Sequence, residues 1–276
     1  ITVCGTPLDK GEDRIPQQYR RKASDLPGVS IHYLDAVEIL EKGAVVCKLK
    51  VQQNEISRNS ANVAVRILGT DRPQEIVTVT AHYDSVPEGP GAYDNMSGSA
   101  IVMEAFHYFA EHRPARTVDF IWFGSEEKGL VGSQNYVKNH QAEMADHVFN
   151  LNVDLAGQLL GGNVLGVTAD PTVCMALKEL MEENQLGVTI KNQVWASDSN
   201  TFAWKGVPAL TLNRDGFGMH TRHDTVEYIS PWALAEGARM LCTAAAWVAN
   251  EPVLSFEKQI PKDMQGELER YFGGGL

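Results

Sequence analysis

The stretch Val118-Asp119-Phe120-Ile121-Trp122-Phe123-Gly124-Ser125-Glu126-Glu127 decides how this chain folds. Its first six residues form a short apolar run that reads as a buried strand. Two acids follow the strand end. Side by side in a dry pocket they would repel each other, so the site must supply positive charge, and a metal ion supplies it. One carboxylate can then hold a cation while its neighbour stays off the metal and takes a proton from water as general base, its pKa kept useful by partial burial. The alternative, a solvated acidic turn completed by Lys128 and Gly129, is disfavoured by the apolar strand ahead of it.

Outward from this run the pattern is regular from Ala61 onward. Strands are expected at Val63 to Leu68, Ile76 to Ala81 and Val148 to Val153, with helices at Ser99 to His112 and around Ser133 to Asn139. The later half continues with a strand near Val164 to Val167, a helix from Pro171 to about Gln185 and a strand at Val188 to Val194. A short helix after Asp198, a buried strand at Val207 to Leu212 and a long apolar helix at Trp232 to Ala249 follow. This alternation predicts an α/β fold, with a mixed, largely parallel central sheet and helices on both faces. Upstream the character changes. Residues 1 to 30 carry Gly5, Pro7, Gly11, Pro16, Pro27 and Gly28 among many charges and read as loop, with at most a short helix around Gln17 to Lys22. Residues 31 to 58 hold a helical patch, Leu34 to Leu40, and a period-two stretch, Val45, Cys47, Leu49 and Val51, that signals a strand. The division expected is an N-terminal segment, 1–58, and a larger domain, 59–276.

Ligands of open α/β sheets collect outside the carboxyl ends of the strands. His82 follows the strand Ile76 to Ala81, Glu126 and Glu127 follow Val118 to Phe123, and Asp154 follows Val148 to Val153. A lone histidine is more often packed than ligating, but Asp84, two residues on, can accept the second imidazole N–H and fix the tautomer. Asp94 lies in a glycine-rich loop, Gly91-Ala92-Tyr93-Asp94-Asn95-Met96-Ser97-Gly98, where a turn or capping role is equally natural. A carboxylate can bridge two cations with its two oxygens, which makes Asp94 the choice for a shared ligand, with Asn95 and Ser97 as loop and cap residues. Downstream, His220-Thr221-Arg222-His223-Asp224-Thr225 offers two histidines three apart, between which spacing does not choose. Hard oxygen and borderline nitrogen donors in this mix suit two close divalent cations, most often zinc, with cobalt or manganese fitting the same donors. Hydrolysis at neutral pH is the chemistry they point to.

Composition narrows the classes. With 24 basic and 35 acidic residues the formal charge is −11, which disfavours nucleic acid or an anionic membrane as partner. No apolar run approaches the roughly 18 to 20 residues of a spanning helix. Cys4, Cys47, Cys174 and Cys242 are too scattered for a zinc knuckle or redox pair and lean towards free thiols and a reducing, cytoplasmic compartment. The chain opens on Ile1 without an initiator Met or an apolar leader, so the natural start is taken to be missing and secretion stays open.

Taken together these stretches resemble the di-zinc aminopeptidase family, peptidase family twenty-eight of the metallo class. The His-x-Asp at His82, the Asp-Asn-x-Ser-Gly at Asp94, the Glu-Glu-x-Gly-x-x-Gly-Ser at Glu126, the Asp at Asp154 and the His-Thr-x-x-Asp-Thr at His220 occur in order over roughly residues 60 to 250. The resemblance implies a zinc-exopeptidase-like catalytic domain with one zinc on His82, Asp94 and Asp154 and a second on Asp94, Glu127 and His220. It implies Glu126 as proton shuttle, Asp84 as the residue orienting His82, and His220 rather than His223 as ligand, with Asp224 and Thr225 in support. Asp198, in Ala196-Ser197-Asp198-Ser199, resembles a position near the substrate pocket, and a helix N-cap explains it as well. His107 and His112, on one helix, are expected to pack or cap it. The front segment resembles, more faintly, the tail of a protease-associated insert.

The implied activity is an aminopeptidase acting on peptides with a free N-terminus. A carboxypeptidase or dipeptidase of the same family is the first rival, because Arg214 and Arg222 lie close to His220 in sequence. A one-zinc glutaminyl cyclase and a receptor-like binder without chemistry are the others; the full ligand set counts against both.

Overall fold

Short apolar strands ended by polar loops bury both faces when they lie side by side between helices. The computed structural model, which describes residues 1–4, 17–19, 28–50, 52, 54 and 56–273, has this arrangement in the larger of two compact units, residues 1–59 and 60–276.

In the first unit β1 (Thr2–Cys4) and β2 (Gln17–Tyr19) flank β3 (Gly28–His32), β1 running parallel and β2 antiparallel to it. Helix α1 (Tyr33–Glu41) follows, its first turn capped by the His32 ring, which accepts from the Leu34 N–H. Two expectations fail here. Gln17–Tyr19 is a strand because its backbone finds β3 to pair with; the rest of the helix expected there, 20–22, lies outside the described residues. Residues 44–50 have no regular structure, and Val45 and Val46 are 95% and 86% exposed. Alternation alone makes no strand when no neighbouring backbone takes up its N–H and C=O groups. Val51 lies outside the described residues.

The second unit carries β4 (Val63–Ile67), β5 (Arg72–His82), β6 (Arg116–Phe123), β7 (His147–Val153), β8 (Asn163–Thr168), β9 (Thr189–Asn192) and β10 (Ala209–Arg214). Their order is β4-β6-β5-β7-β10-β8-β9. The four central strands β6, β5, β7 and β10 are parallel; β4 runs against β6 and β8 against β10, and β9 is parallel to β8. Helices are α2 (Ser97–Glu111), α3 (Val131–Asn139), α4 (Pro171–Glu183), α5 (Ser199–Trp204), α6 (Pro231–Asn250) and α7 (Lys262–Gly273). Two of them start as their sequences demand: the Asp170 carboxylate accepts from the Thr172 N–H ahead of Pro171, and Ser230 Oγ accepts from the Ala233 N–H beside Pro231.

Period-two alternation splits the central strands between two faces. Val77, Val79 and Ala81 of β5, Phe149, Leu151 and Val153 of β7, and Leu210 and Leu212 of β10 pack in one core with α2, α4 and α6. The residues between them, Thr78, Thr80 and His82, Asn150, Asn152 and Asp154, and Thr211 and Asn213, are buried too, but polar. On that side Ile121 and Phe123 of β6 pack with Tyr136 and Val137 of α3 and Phe202 of α5. Helix α7, unforeseen in the sequence, seats Met264 and Leu268 against Ala203 and Ala209. No helix of the described residues is long and apolar enough to cross a membrane.

Candidate metal centre

Because β5, β6 and β7 are parallel and in register, with His82 opposite Phe123 and Thr80 opposite Asn152, their carboxyl ends deliver side chains to one place. His82 ends β5; Glu126 and Glu127 lie on a single 3-10 turn after β6; Asp154 follows β7. Asp94 comes from the kinked turn Ala92–Met96 ahead of α2, where the Asp94–Asn95 peptide is cis. His220 arrives on the loop after β10.

Two groups of ligating atoms result. In the first, His82 Nε2 is 3.2 Å from Asp94 Oδ1 and 3.4 Å from Asp154 Oδ1. In the second, His220 Nε2 is 3.0 Å from Asp94 Oδ2 and 3.1 Å from Glu127 Oε2. Asp94 thus gives one oxygen to each group. Ligands about 2.0 to 2.1 Å from a tetrahedral zinc lie about 3.3 Å from one another, so the histidine-to-carboxylate distances in both groups suit such an ion. Among the described residues these are the two clusters able to hold a metal, and His223 is in neither. Glu127 Oε1 is buried with no hydrogen-bond partner among the described residues, an oxygen left for a further ligand contact.

Electrostatics agrees with the geometry. Burial pushes the Asp94 carboxyl up, but hydrogen bonds with His220 and His82 outweigh it and hold it at about 2. His220 is pushed up to about 10 by Asp94 and then Glu127. Burial lowers His82, yet the carboxylates of Asp154, Asp84 and Asp94 around it raise it well above its ordinary value. Positive charge is favoured at both positions because carboxylates crowd each histidine.

The supporting contacts differ partly from expectation. The nearest partner of His82 Nδ1 is the backbone carbonyl of Asp84, at 3.1 Å; the carboxylate is 3.6 Å away, too far for a good bond. That carboxylate accepts instead from the N–H groups of Glu126 (2.9 Å) and Glu127 (3.3 Å), so Asp84 orients the histidine with its main chain and the acidic pair with its side chain. Asn95 donates to the Val153 carbonyl and accepts from Gly98 and Leu155, tying the Asp94 turn to the end of β7. A side chain at Gly98 would meet Asn95 Oδ1 at 2.3 Å, which is why that position is glycine. Ser97 Oγ donates to the Tyr93 carbonyl and accepts from Ala156 N–H.

Sequence reading missed Ser197, whose hydroxyl donates to Asp154 Oδ2 at 2.6 Å and accepts from Asn152, itself bonded by Thr80. Only its place beside Asp198 could have drawn notice. Asp198 precedes α5 but makes no capping bond; it is wholly buried, and neither oxygen has a well-formed hydrogen bond. Burial raises its carboxyl. Burial and then the Asp198 charge raise Glu126, which belongs to neither ligand group. His112 caps α2 by stacking on Tyr108 and bonding its carbonyl. Arg214 is buried, and its guanidinium donates to Gln158 O, Leu159 O and Asn163 Oδ1.

Residues 62–245 match the sequence pattern of Peptidase family M28. The chain is 36% identical over 201 residues to Aminopeptidase YwaD of Bacillus subtilis, covering 71% of this chain and 39% of that one. Its fold superimposes on the Peptidase M28 precursor from Shewanella amazonensis with a TM-score of 0.73 at 27% identity, over 88% of this chain and 58% of that one. It superimposes on BSAP, a zinc aminopeptidase from Bacillus subtilis, with a TM-score of 0.68 at 25% identity, over 88% and 62%. The chain therefore spans less than two thirds of each of these relatives. The shared pattern over residues 62–245 and the shared fold together establish that the chain belongs to peptidase family M28.

Proposed function

We propose that this chain is a zinc-dependent aminopeptidase, which removes the first residue from peptides with a free N-terminus. The observation that carries this reading is the division of Asp94 between two histidine-containing ligand groups, with Glu126 in neither and its carboxyl under the charges of His82, Asp154 and Glu127. His82, Asp94 and Asp154 would hold one zinc, and Asp94, Glu127 and His220 the second. Cations bound there would supply Lewis-acid charge able to polarise a carbonyl and acidify water. Glu126 takes the proton from that water and returns it to the leaving nitrogen. Burial and Asp198 raise the Glu126 carboxyl, and divalent charge beside it would draw it back towards the working range of a base. Asp84 fixes both members of the acidic pair through their N–H groups. The name of BSAP supports zinc; the donor set would also take cobalt or manganese.

Against a carboxypeptidase stands Arg214, whose guanidinium is spent on the loop 158–163 and so is not offered to a substrate carboxylate. Against a one-zinc cyclase stands the second ligand group. Residues 1–58 are read as the tail of a protease-associated insert. The test is metal analysis combined with turnover of aminoacyl, N-blocked and C-terminal peptide substrates. Two zinc ions per chain and cleavage only of free N-termini are expected. Cleavage of N-blocked peptides, one cation with ammonia release, or no turnover at all would each replace the reading with one of its rivals.

A further inference from the structure

Asp94 and His220 must meet within 3.0 Å, yet they sit on different loops, and His220 is the less securely held. His82 ends a central strand, and Asp154 is still bound to β10 by its N–H, which donates to the Leu212 carbonyl at 3.0 Å. His220 has no strand to stand on. Its side chain is 48% exposed and its backbone is left-handed, φ +60, a conformation a non-glycine residue keeps only when its surroundings impose it.

Asp224, four residues on, ties this loop to the Asp94 turn. This residue is 2% exposed, and its carboxylate accepts from the backbone N–H groups of Tyr93 and of Asp94, the latter at 3.0 Å. Its own carbonyl accepts from the Ala92 N–H at 3.3 Å. Three successive residues of the turn that carries the bridging carboxylate are thus bound to one residue of the His220 loop. The loop is closed on itself by Thr221, whose hydroxyl donates to the Gly218 carbonyl at 2.7 Å, and Tyr93 returns the contact by donating its phenol to the Arg214 carbonyl.

We propose that Asp224 is a positioning residue that makes the Asp94 turn and the His220 loop a single unit, and that its loss releases the second cation, on Asp94, Glu127 and His220, ahead of the first. This rests on the two-cation reading above. In Asp224→Asn one oxygen remains for an N–H, and the other is replaced by an amide that cannot accept. The full chain and the variant are titrated with Zn2+ and with Co2+ against a chelator of known affinity. The visible spectrum of each cobalt equivalent and the melting of the metal-free protein are recorded beside them.

The second equivalent is expected to weaken roughly 10- to 100-fold, the range seen when a support of a ligand is removed, with the first within about threefold. The variant should behave as a milder His220→Gln, with an altered spectrum for the second cobalt only. Equal weakening of both cations, or two cations bound as in wild type, overturns the proposal. A metal-free variant that no longer folds overturns it too, because Asp224 is then a fold residue. A wild-type chain that takes fewer than two cations overturns this inference together with the reading beneath it, whereas the other outcomes leave that reading standing.

Discussion

The two faces of the central sheet are built by the same strands and do opposite work. On β5 and β7, Val77, Val79, Phe149 and Leu151 look towards α2, α4 and α6 and bury hydrocarbon. One residue along in each case, Thr78, Thr80, Asn150 and Asn152 look the other way and bury hydrogen bonds. An apolar face is non-directional and tolerates adjustment. A buried polar face must be satisfied atom by atom, which makes it costly and also makes it exact in where it holds a side chain. The line Asn150, Thr80, Asn152, Ser197 ends on Asp154, so the polar face fixes a carboxylate of the first candidate cluster.

If that division holds, variants on the two faces fail in different ways. The largest effect should come from Glu126→Gln, with turnover falling by about 10²- to 10⁴-fold while zinc content stays; an active variant would remove Glu126 from the chemistry. Asp94→Ala should cost both cations as well as turnover, and metal analysis separates the two cases. On the apolar face Leu151→Ala should lose about 2–5 kcal/mol of stability in denaturant melts, with zinc affinity and kcat/KM of the folded protein unchanged. Loss of zinc in that variant would mean the faces are not independent.

A smaller effect is expected from Thr80→Val, which keeps the shape but leaves Asn152 Oδ1 without its partner and Asn150 Nδ2 with only its 3.5 Å contact to the Thr78 carbonyl. A cost of about 1–3 kcal/mol is expected, along with a few-fold weaker zinc. Unchanged affinity would confine the polar line to stability. The smallest effect concerns pH. Asp94 and then Glu127 raise His220 from 6.5 to about 10 in the metal-free chain. The stability it contributes is complete below the unfolded value and lost as pH climbs through the folded one. Melting of the metal-free chain should therefore fall between pH 6.5 and 10, and His220→Gln should flatten that slope. Zinc binding should run oppositely, tightening as the ligands lose protons. An identical slope in the variant would show that other groups set it.

How much of this was legible depends on what kind of signal each residue carries. The buried strands and the acids at their ends could be read because apolar runs and their sudden termination are local properties, as in Phe123 followed by Glu126-Glu127. The Val45 to Val51 alternation misled because a strand is a property of two segments and the sequence displays only one. Helix α7 was overlooked because it offers just two buried anchors, Met264 and Leu268, among charged residues. Asp84 was expected to meet the His82 imidazole with its carboxylate, but which of its oxygens faces the ring is set by the turn after β6, which brings two N–H groups to that carboxylate and leaves the backbone carbonyl to the ring. Ser197 carries no motif at all; its contact with Asp154 exists only once β7 and the start of α5 are neighbours.

Strand β10 is the last strand among the described residues and lies between β7 and β8 in the sheet. During synthesis β7 and β8 therefore emerge from the ribosome with a vacant slot between them, and neither can pair across it until residues 209–214 appear. A nascent chain stopped after Asp154 already owns His82, Asp94 and Asp154, yet it has no finished sheet on which to present them. Completion must wait for a segment about fifty residues downstream, and such long-range closure is slow and leaves strand edges open to unwanted partners meanwhile. Until β10 is made, the facing edges of β7 and β8 stay unpaired.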